Sequence, residues 1–366
     1  MKQKPKIIFL LASISQPRCL KRIRSFIERG FEVEIYGFDR GTYNINSSIE
    51  NHDIVNLGFA PSGTGYLNKV FFARKKINEI FQKNKSSNII YYSFSFDISL
   101  ICRLYRKKYI YEISDLVYGY FHNKTIRNIF AMIDRKLISK SYLTVMTSKG
   151  FNDYLFPNTE LKNIIVQPNR VDSYFSSIKR AVNKINTKKL AFSYVGAFRY
   201  PNTVFRFAKV IGEKYPEHTF MFFGDSILTN QVKELASKYD NVKYFGQFKN
   251  PEDLPQIYSK IDIVIACYDI KTLNERIAEP NKLYESMFFN KPIIVSKDTF
   301  LEKQVLKRYK CGFALDASKD ENIVNLIDSL KNETLNQLIE RISKIEIKEI
   351  VDDKSIKITD FIYENI

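Results

Sequence analysis

Lys282 and Glu285 stand three residues apart in the run Glu279-Pro280-Asn281-Lys282-Leu283-Tyr284-Glu285-Ser286-Met287-Phe288-Phe289-Asn290-Lys291-Pro292. On a helix that spacing puts an ammonium and a carboxylate on one face near the first turn. A helix N-terminus presents free N–H groups and partial positive charge, a seat for phosphate, and Lys282 would add a full charge there. Glu285, one turn deeper, could accept hydrogen bonds from two neighbouring hydroxyls, as on a ribose. The plain alternative is a surface helix with a solvated Lys/Glu pair. Pro280 suits the first helical position, Asn290 suits a left-handed position after the helix, and Pro292 stops it from continuing. Leu283, Tyr284, Met287 and Phe288 form the packed face, and residues 293–296 follow as a buried strand.

A second set of chemically capable residues lies in Tyr111-Glu112-Ile113-Ser114-Asp115-Leu116. A strand ending here places Glu112 and Asp115 at the mouth of a sheet, where a carboxylate could take the proton of an attacking hydroxyl. Helix capping by Ser114 and Asp115 is the structural alternative. A third site follows the strand 190–195, where Gly196 lets backbone approach a ligand closely. There Arg199 offers the planar fork that suits phosphate, unless it is merely a surface arginine. Phe248, in the turn Gly246-Gln247-Phe248, reads by itself as a buried structural residue.

The elements that must position these residues alternate between strand and helix. Strands are predicted at 6–13, 31–36, 53–58, 88–94, 108–113, 142–147 and 163–167, with 31–36 near a sheet edge. A helix at 17–29 closes at Gly30. The rhythm restarts at 190–195, 219–224, 241–245, 261–267 and 311–315, followed by helices over 319–345. Repeated βαβ units predict parallel, doubly wound sheets, with ligands beyond the carboxyl ends of the strands.

The stretch Pro280-Asn281-Lys282-Leu283-Tyr284-Glu285 resembles the Pro-Asn-Lys-aromatic-aromatic-Glu segment in the nucleotide-binding half of GT-B sugar transferases, in particular glycosyltransferase family 4 (group 1). Tyr142-Leu143-Thr144-Val145-Met146-Thr147-Ser148-Lys149-Gly150 resembles that family's first-domain strand and turn. Gln167-Pro168-Asn169-Arg170-Val171-Asp172 resembles its entry into the interdomain linker, with Arg170 where glycine is usual. The resemblance implies an α/β GT-B fold: two Rossmann-like doubly wound parallel-sheet domains facing across a cleft. Residues 1–172 would bind acceptor, 173–189 would link, 190–348 would bind the nucleotide sugar, and a C-terminal helix at 349–366 would pack back on the first domain. Donor binding would fall to Gly196, Arg199, Phe248, Glu279, Asn281, Lys282 and Glu285, with Lys282 on the diphosphate and Glu285 on the ribose. Two positions depart from the family. Many members carry a further Glu eight residues before the equivalent of Glu285; here Ile277 stands there, flanked by Glu275 and Glu279. Many carry His-Asp where this chain has Ser114-Asp115, so the base role passes to Asp115, with Glu112 second.

Composition narrows the remaining choices. The 366 residues are long enough for two domains, with 45% hydrophobic residues. Cys19, Cys102, Cys267 and Cys311 have no paired spacing, which fits a reducing compartment. His52, His122 and His218 are too dispersed for an obvious metal cluster, and neither metal nor cofactor is expected. No P-loop, dinucleotide fingerprint or His-Glu-x-x-His motif occurs. The apolar run 7–12 is too short for a membrane span or signal core and reads as a first strand, so a cytoplasmic protein is expected.

The net charge of +17 is unevenly placed: residues 1–172 hold 27 Lys or Arg and 14 Asp or Glu, and residues 173–366 hold 30 and 26. A basic first half seeks polyanions. The 66–81 segment reads as a basic amphipathic helix whose apolar stripe covers the sheet and whose charged face could meet anionic lipid on the inner membrane face. The loop 58–65 before it could border an acceptor site. The expectation is a glycosyltransferase moving sugar from a UDP- or GDP-type donor to a glycan or lipid-linked acceptor for polysaccharide synthesis. The alternatives are a nucleotide-sugar epimerase of the same fold and, less favoured because most aromatics fall on core periods, a nucleic-acid binder.

Overall fold

The computed structural model describes residues 4–14, 16–40, 48–59, 66–181 and 185–365, with backbone alone at residues 17 and 66–69. Most of the 58–65 loop therefore lies outside the described residues. The chain divides into two compact units, Met1–Pro168 with Asp353–Ile366, and Asn169–Asp352.

The first unit holds β1 (Lys6–Leu11), β2 (Val33–Asp39), β3 (Ser48–Ile49), β4 (His52–Phe59), β5 (Ile89–Ser93), β6 (Tyr109–Ile113), β7 (Leu143–Met146) and β8 (Ile164–Val166). They form one sheet in the order β3-β4-β2-β1-β5-β6-β7-β8. Every pairing is parallel except the β3–β4 hairpin. The runs IIYYS and YIYEI are buried on both faces, as helix-covered parallel strands must be. The strand expected near a sheet edge, β2, lies inside the sheet, because the short β3–β4 hairpin extends beyond it.

Helices α1 (Pro17–Glu28), α2 (Tyr66–Lys83), α3 (Phe96–Leu104), α4 (Lys124–Lys140) and α5 (Lys149–Leu155) make the connections. α1 ends as expected at Gly30, whose φ is +72°. Together with the C-terminal helix Ile356–Glu364 it buries Phe26, Ile358 and Ile362 against Ile7 and Phe9. β5 to β8 are added on the opposite side of β1 from β2, so right-handed crossovers put α3 and α4 on the other face. α2, α3 and α4 pack side by side. Among the described side chains, the apolar stripe of α2 is buried at Ile77, Ile80 and Phe81 in its second half, while Phe71 and Phe72 are exposed.

The second unit holds β9 (Ala191–Val195), β10 (Thr219–Phe223), β11 (Val242–Tyr244), β12 (Ile263–Ala266), β13 (Ile293–Ser296) and β14 (Gly312–Leu315), all parallel, in the order β11-β10-β9-β12-β13-β14. Alternate residues serve opposite cores: Phe192, Phe220, Phe222, Ile263 and Ile265 on one face, Val195, Phe223, Val264 and Val295 on the other. Helices α6 (Arg206–Lys214), α7 (Thr229–Lys238), α8 (Leu254–Ser259), α9 (Leu273–Ile277) and α10 (Asn281–Phe288) follow their strands. Strand order reverses at β9, which opens a crevice between the ends of β9 and β12.

The 173–189 segment, read as a linker, is packed onto this unit: Phe175 is buried against Phe288, and Arg180 closes helix ends. Arg180 donates to the carbonyls of Met287 and Phe288 at the end of α10, to those of Ile342, Ser343 and Ile345, and to Asn290 Oδ1, at 2.7–3.2 Å. These carbonyls have no intrahelical partner, so one guanidinium closes helix ends and fixes where α10 stops. Asn290 has the left-handed φ, +54°, that its position demanded. Pro280 differs by one residue from expectation: it is the N-cap, extended at ψ 155°, and Asn281 is the first helical residue.

Candidate functional site

Three neighbouring strands of the second unit end in glycine. Gly196, Gly224 and Gly246 follow β9, β10 and β11 with φ of +124°, +135° and +79°. A Cβ on Gly224 would lie 2.2 Å from Gly196 O, and one on Gly196 would lie 3.0 Å from Lys282 Nζ. The first two glycines therefore let the strand ends close together and let the lysine reach the carboxyl end of β9. Asp269 accepts from Asn202 Nδ2 at 2.6 Å and Thr203 Oγ1 at 2.9 Å, joining the loop after β9 to the loop after β12. Tyr200 and Tyr268 pack 4.5 Å apart across the same crevice.

Lys282 and Glu285 are both buried, which removes the solvated-pair alternative. The Lys282 ammonium sits 4.5 Å from the centre of the Tyr194 ring. Among the described residues no carboxylate forms an ion pair with it. Burial pushes its pKa down to about 8, helped by Arg199 and opposed by Glu285. Glu285 is held from two sides: Tyr258 OH donates to Oε2 at 2.7 Å, and Asn281 Nδ2 donates to Oε1 at 2.6 Å. Burial raises its pKa, against the pull of Tyr258, Lys282 and Asn281. A buried charge without a full partner, at a helix N-terminus and a topological switch point, is the arrangement expected where an anion binds.

The remaining donor-site expectations divide. Arg199 is exposed in the loop after β9, near enough to depress Lys282. Asn281 is at the mouth of the same helix and engages Glu285. Phe248 is partly buried against the core. Glu279 is buried and accepts a hydrogen bond from Tyr284 OH; burial raises its pKa, opposed by Tyr284, Arg308 and Arg170. Glu275 is engaged in a capping box with Thr272, which closes the start of α9. Tyr194, Tyr258 and Gly224 were not singled out in the sequence. The tyrosines read as core positions; a glycine directly after a β-strand, as in Phe222-Phe223-Gly224, was the available signal for the third.

The first-unit candidates are less alike than the sequence suggests. Glu112, expected at the mouth of the sheet, is fully buried. Arg22 Nε donates to Oε2 at 3.0 Å, Arg18 lies 3.4 Å from Oε1, and Tyr92 OH donates to Oε2 at 2.5 Å. Burial alone would raise its pKa, but Arg22 and Arg18 outweigh that and hold the carboxyl below its ordinary value. A carboxylate so enclosed is suited to fixing α1 on β6 and unsuited to accepting a substrate proton. Asp115, by contrast, is exposed in the turn after β6. Among the described residues no group of three or more His, Cys, Asp or Glu could hold a metal ion.

Residues 175–348 match the family model described as glycosyl transferases group 1. No curated protein matches the sequence. Over the whole chain the structure is similar to sucrose-phosphate synthase from Thermosynechococcus elongatus, with a TM-score of 0.73, 13% identity, and coverage of 98% of this chain and 99% of that one. It is similar to Anabaena HepE solved in complex with UDP-glucose, with a TM-score of 0.67, 12% identity and 99% of each chain covered. It is also similar to S. aureus MnaA solved with UDP, with a TM-score of 0.64, 13% identity, and coverage of 99% of this chain and 97% of that one. The chain therefore has the GT-B fold, and its second unit carries the match to the group 1 glycosyl transferases.

Proposed function

We propose that the protein is a glycosyltransferase that moves a sugar from a nucleotide diphosphate sugar of UDP or GDP type to an acceptor hydroxyl. The observation that carries this reading is the buried, depressed Lys282 ammonium at the N-terminus of α10, against Tyr194 and Gly196. Two structurally similar proteins, HepE and MnaA, were solved with UDP-glucose and UDP. Lys282, Arg199 and the first N–H groups of α10 would hold the diphosphate and stabilise the charge that grows on it as the sugar departs. Diphosphate would also raise the lysine's pKa back toward its ordinary value. Each Glu285 oxygen keeps a lone pair beyond its hydrogen bond to Tyr258 or Asn281, enough to accept from ribose hydroxyls. Asp115 would serve as base toward the acceptor, a glycan or lipid-linked glycan. The four buried, free cysteines agree with a cytoplasmic setting, where such donors are made.

The test is a thermal-shift series with UDP, GDP, CMP and dTDP, followed by product analysis with the matching nucleotide sugars. A diphosphate that binds the native state raises the melting temperature. Asp115→Asn should lower turnover by about 10²–10⁴-fold while leaving that shift intact. If no diphosphate produced a shift, the reading would fail. Conversion of the sugar nucleotide with no acceptor consumed would favour an epimerase.

A further inference from the structure

Position 134 lies in the buried stripe of α4, beside Ala131, Leu137 and Ile138, yet it holds an aspartate with no exposed surface. Tyr118 OH donates to Asp134 Oδ2 at 2.8 Å, and Tyr111 on β6 faces the same carboxyl. Burial pushes the Asp134 pKa up to about 7, opposed by Tyr118, Tyr111 and Arg135. Arg135 turns its Nε to the carbonyl of Leu155, at 2.6 Å. The other titratable groups around this trio are Asp97 on α3, Tyr109 on β6 and Tyr154 on α5. A carboxylate met by phenols in a core costs the fold stability whenever it is charged. The folded pKa lies above the ordinary value, so that cost is absent below about pH 4, grows from there to pH 7 and is full above. A leucine or asparagine would serve packing better, so the aspartate needs a reason other than packing.

What it holds is the turn that presents Asp115. β6 ends at Ile113, and a short 3₁₀ turn, Val117–Tyr120, starts two residues after Asp115. Tyr111 therefore stands on one flank of Asp115 and Tyr118 on the other. Side chains alternate along a strand, so Tyr111 faces away from the Glu112 side of the sheet. Thr147, just past β7, ties the first flank: its N–H donates to Ile113 O at 3.0 Å and its Oγ1 to Ser114 O at 3.4 Å. On the second flank Gly119 N–H donates to the carbonyl of Leu116, itself buried, at 2.8 Å. The Tyr118 ring packs against Phe96 of α3 and Phe130 of α4, and its hydroxyl joins this flank to Asp134. Asp115 is left exposed between two buried, hydrogen-bonded flanks.

We infer that Asp134 is a positioning residue: through Tyr118 and Tyr111 it fixes the turn on which Asp115 stands, and so where that base meets an acceptor hydroxyl. The inference rests on the reading of Asp115 as base. A carboxylate accepts from phenols more strongly than a neutral acid does. The turn should therefore tighten as pH rises from 6 to 8.

The full chain is compared with Asp134→Leu, Tyr118→Phe and Asp134→Asn in two ways. One is hydrogen exchange over residues 114–121 at pH 6 and pH 8, corrected for intrinsic exchange. The other is diphosphate release from UDP-glucose and GDP-glucose, with water as acceptor. Asp134→Leu and Tyr118→Phe should lower protection at pH 8 several-fold and turnover about tenfold, leaving the KM for the donor and the thermal shift with UDP or GDP unchanged. Asp134→Asn keeps an acceptor oxygen for Tyr118. It should hold turnover within about threefold of the parent, with protection that no longer changes between pH 6 and pH 8. Both Asp134 variants should melt at or above the parent's temperature at pH 8, because the buried charge is gone. An aspartate that served the framework alone would give melting temperature and turnover falling together. That result would overturn the proposal, as would unchanged protection in Asp134→Leu and Tyr118→Phe, or lowered protection with full turnover. If the parent releases diphosphate from neither sugar nucleotide, protection and its pH dependence decide. Full turnover by Asp115→Asn would refute the base instead, and the hold of Asp134 on the turn would be judged by exchange.

Discussion

Two buried sets of cation and carboxylate, one in each unit, differ in how their charges are met. In the first unit Glu112 is enclosed by Arg22, Arg18 and Tyr92, and its pKa lies below the ordinary value. In the second, Lys282 faces a tyrosine ring, Glu285 is held only by neutral donors, and both are pushed toward their uncharged forms. A buried ion pair with its partner in place stabilises a helix–strand contact and asks for nothing further. A buried charge whose partner is absent is destabilising until an opposite charge arrives. That difference, more than the presence of a carboxylate at a strand end, separates framework from binding site. Holding Lys282 at about 8 corresponds to about 3 kcal/mol against its charged form, a cost that bound diphosphate would offset.

The largest contrast should come from breaking the framework pair. Arg22→Ala leaves Glu112 buried without its main partner and should destabilise the protein by about 3–5 kcal/mol. Denaturant titration would register it, and nucleotide affinity of the folded fraction should stay the same. An Arg22→Ala protein as stable as its parent would erase the distinction between the two sets.

Next comes Lys282→Met, which keeps the side-chain stem and removes the charge. It should leave the unliganded melting temperature at pH 7 unchanged or higher, while weakening diphosphate binding about 10- to 100-fold. A large loss of stability would show the lysine to be framework as well.

The depressed lysine also sets a pH dependence. Its folded-state pKa lies below the unfolded value, so its destabilising effect is full below about pH 8 and fades as pH rises toward 10.5. Diphosphate affinity runs the other way: it should be flat below about pH 8 and fall about tenfold by pH 9, as the free site loses the proton that binding requires. Isothermal titration across that range would show it.

The smallest expected effect concerns how Glu285 is held. Tyr258→Phe removes the donor to Oε2 and should weaken UDP binding about fivefold, with a smaller change for 2′-deoxy-UDP. Equal losses for both ligands would place Glu285 away from the ribose.

Much of this was legible in the sequence because parallel strands are buried on both faces and leave apolar runs that stand out. The helix at 281–288, its buried face and its left-handed Asn290 followed from local chemistry alone. The β3–β4 hairpin did not, since a two-residue strand carries no period. Glu112 misled because the arginine that encloses it lies 90 residues earlier. Tyr194 and Tyr258 are 88 and 27 residues from the groups they touch, so their roles exist only once β9, α8 and α10 converge.

The most direct test of the central claim is proton uptake on ligand binding. UDP and GDP would be titrated calorimetrically at pH 8 in two buffers of different ionisation enthalpy. If Lys282 is the diphosphate's partner, the better ligand should bind with uptake of about half a proton per site, and Lys282→Met should show none. Tight binding without uptake, or the same uptake in the variant, would contradict the assignment of the buried lysine to the diphosphate.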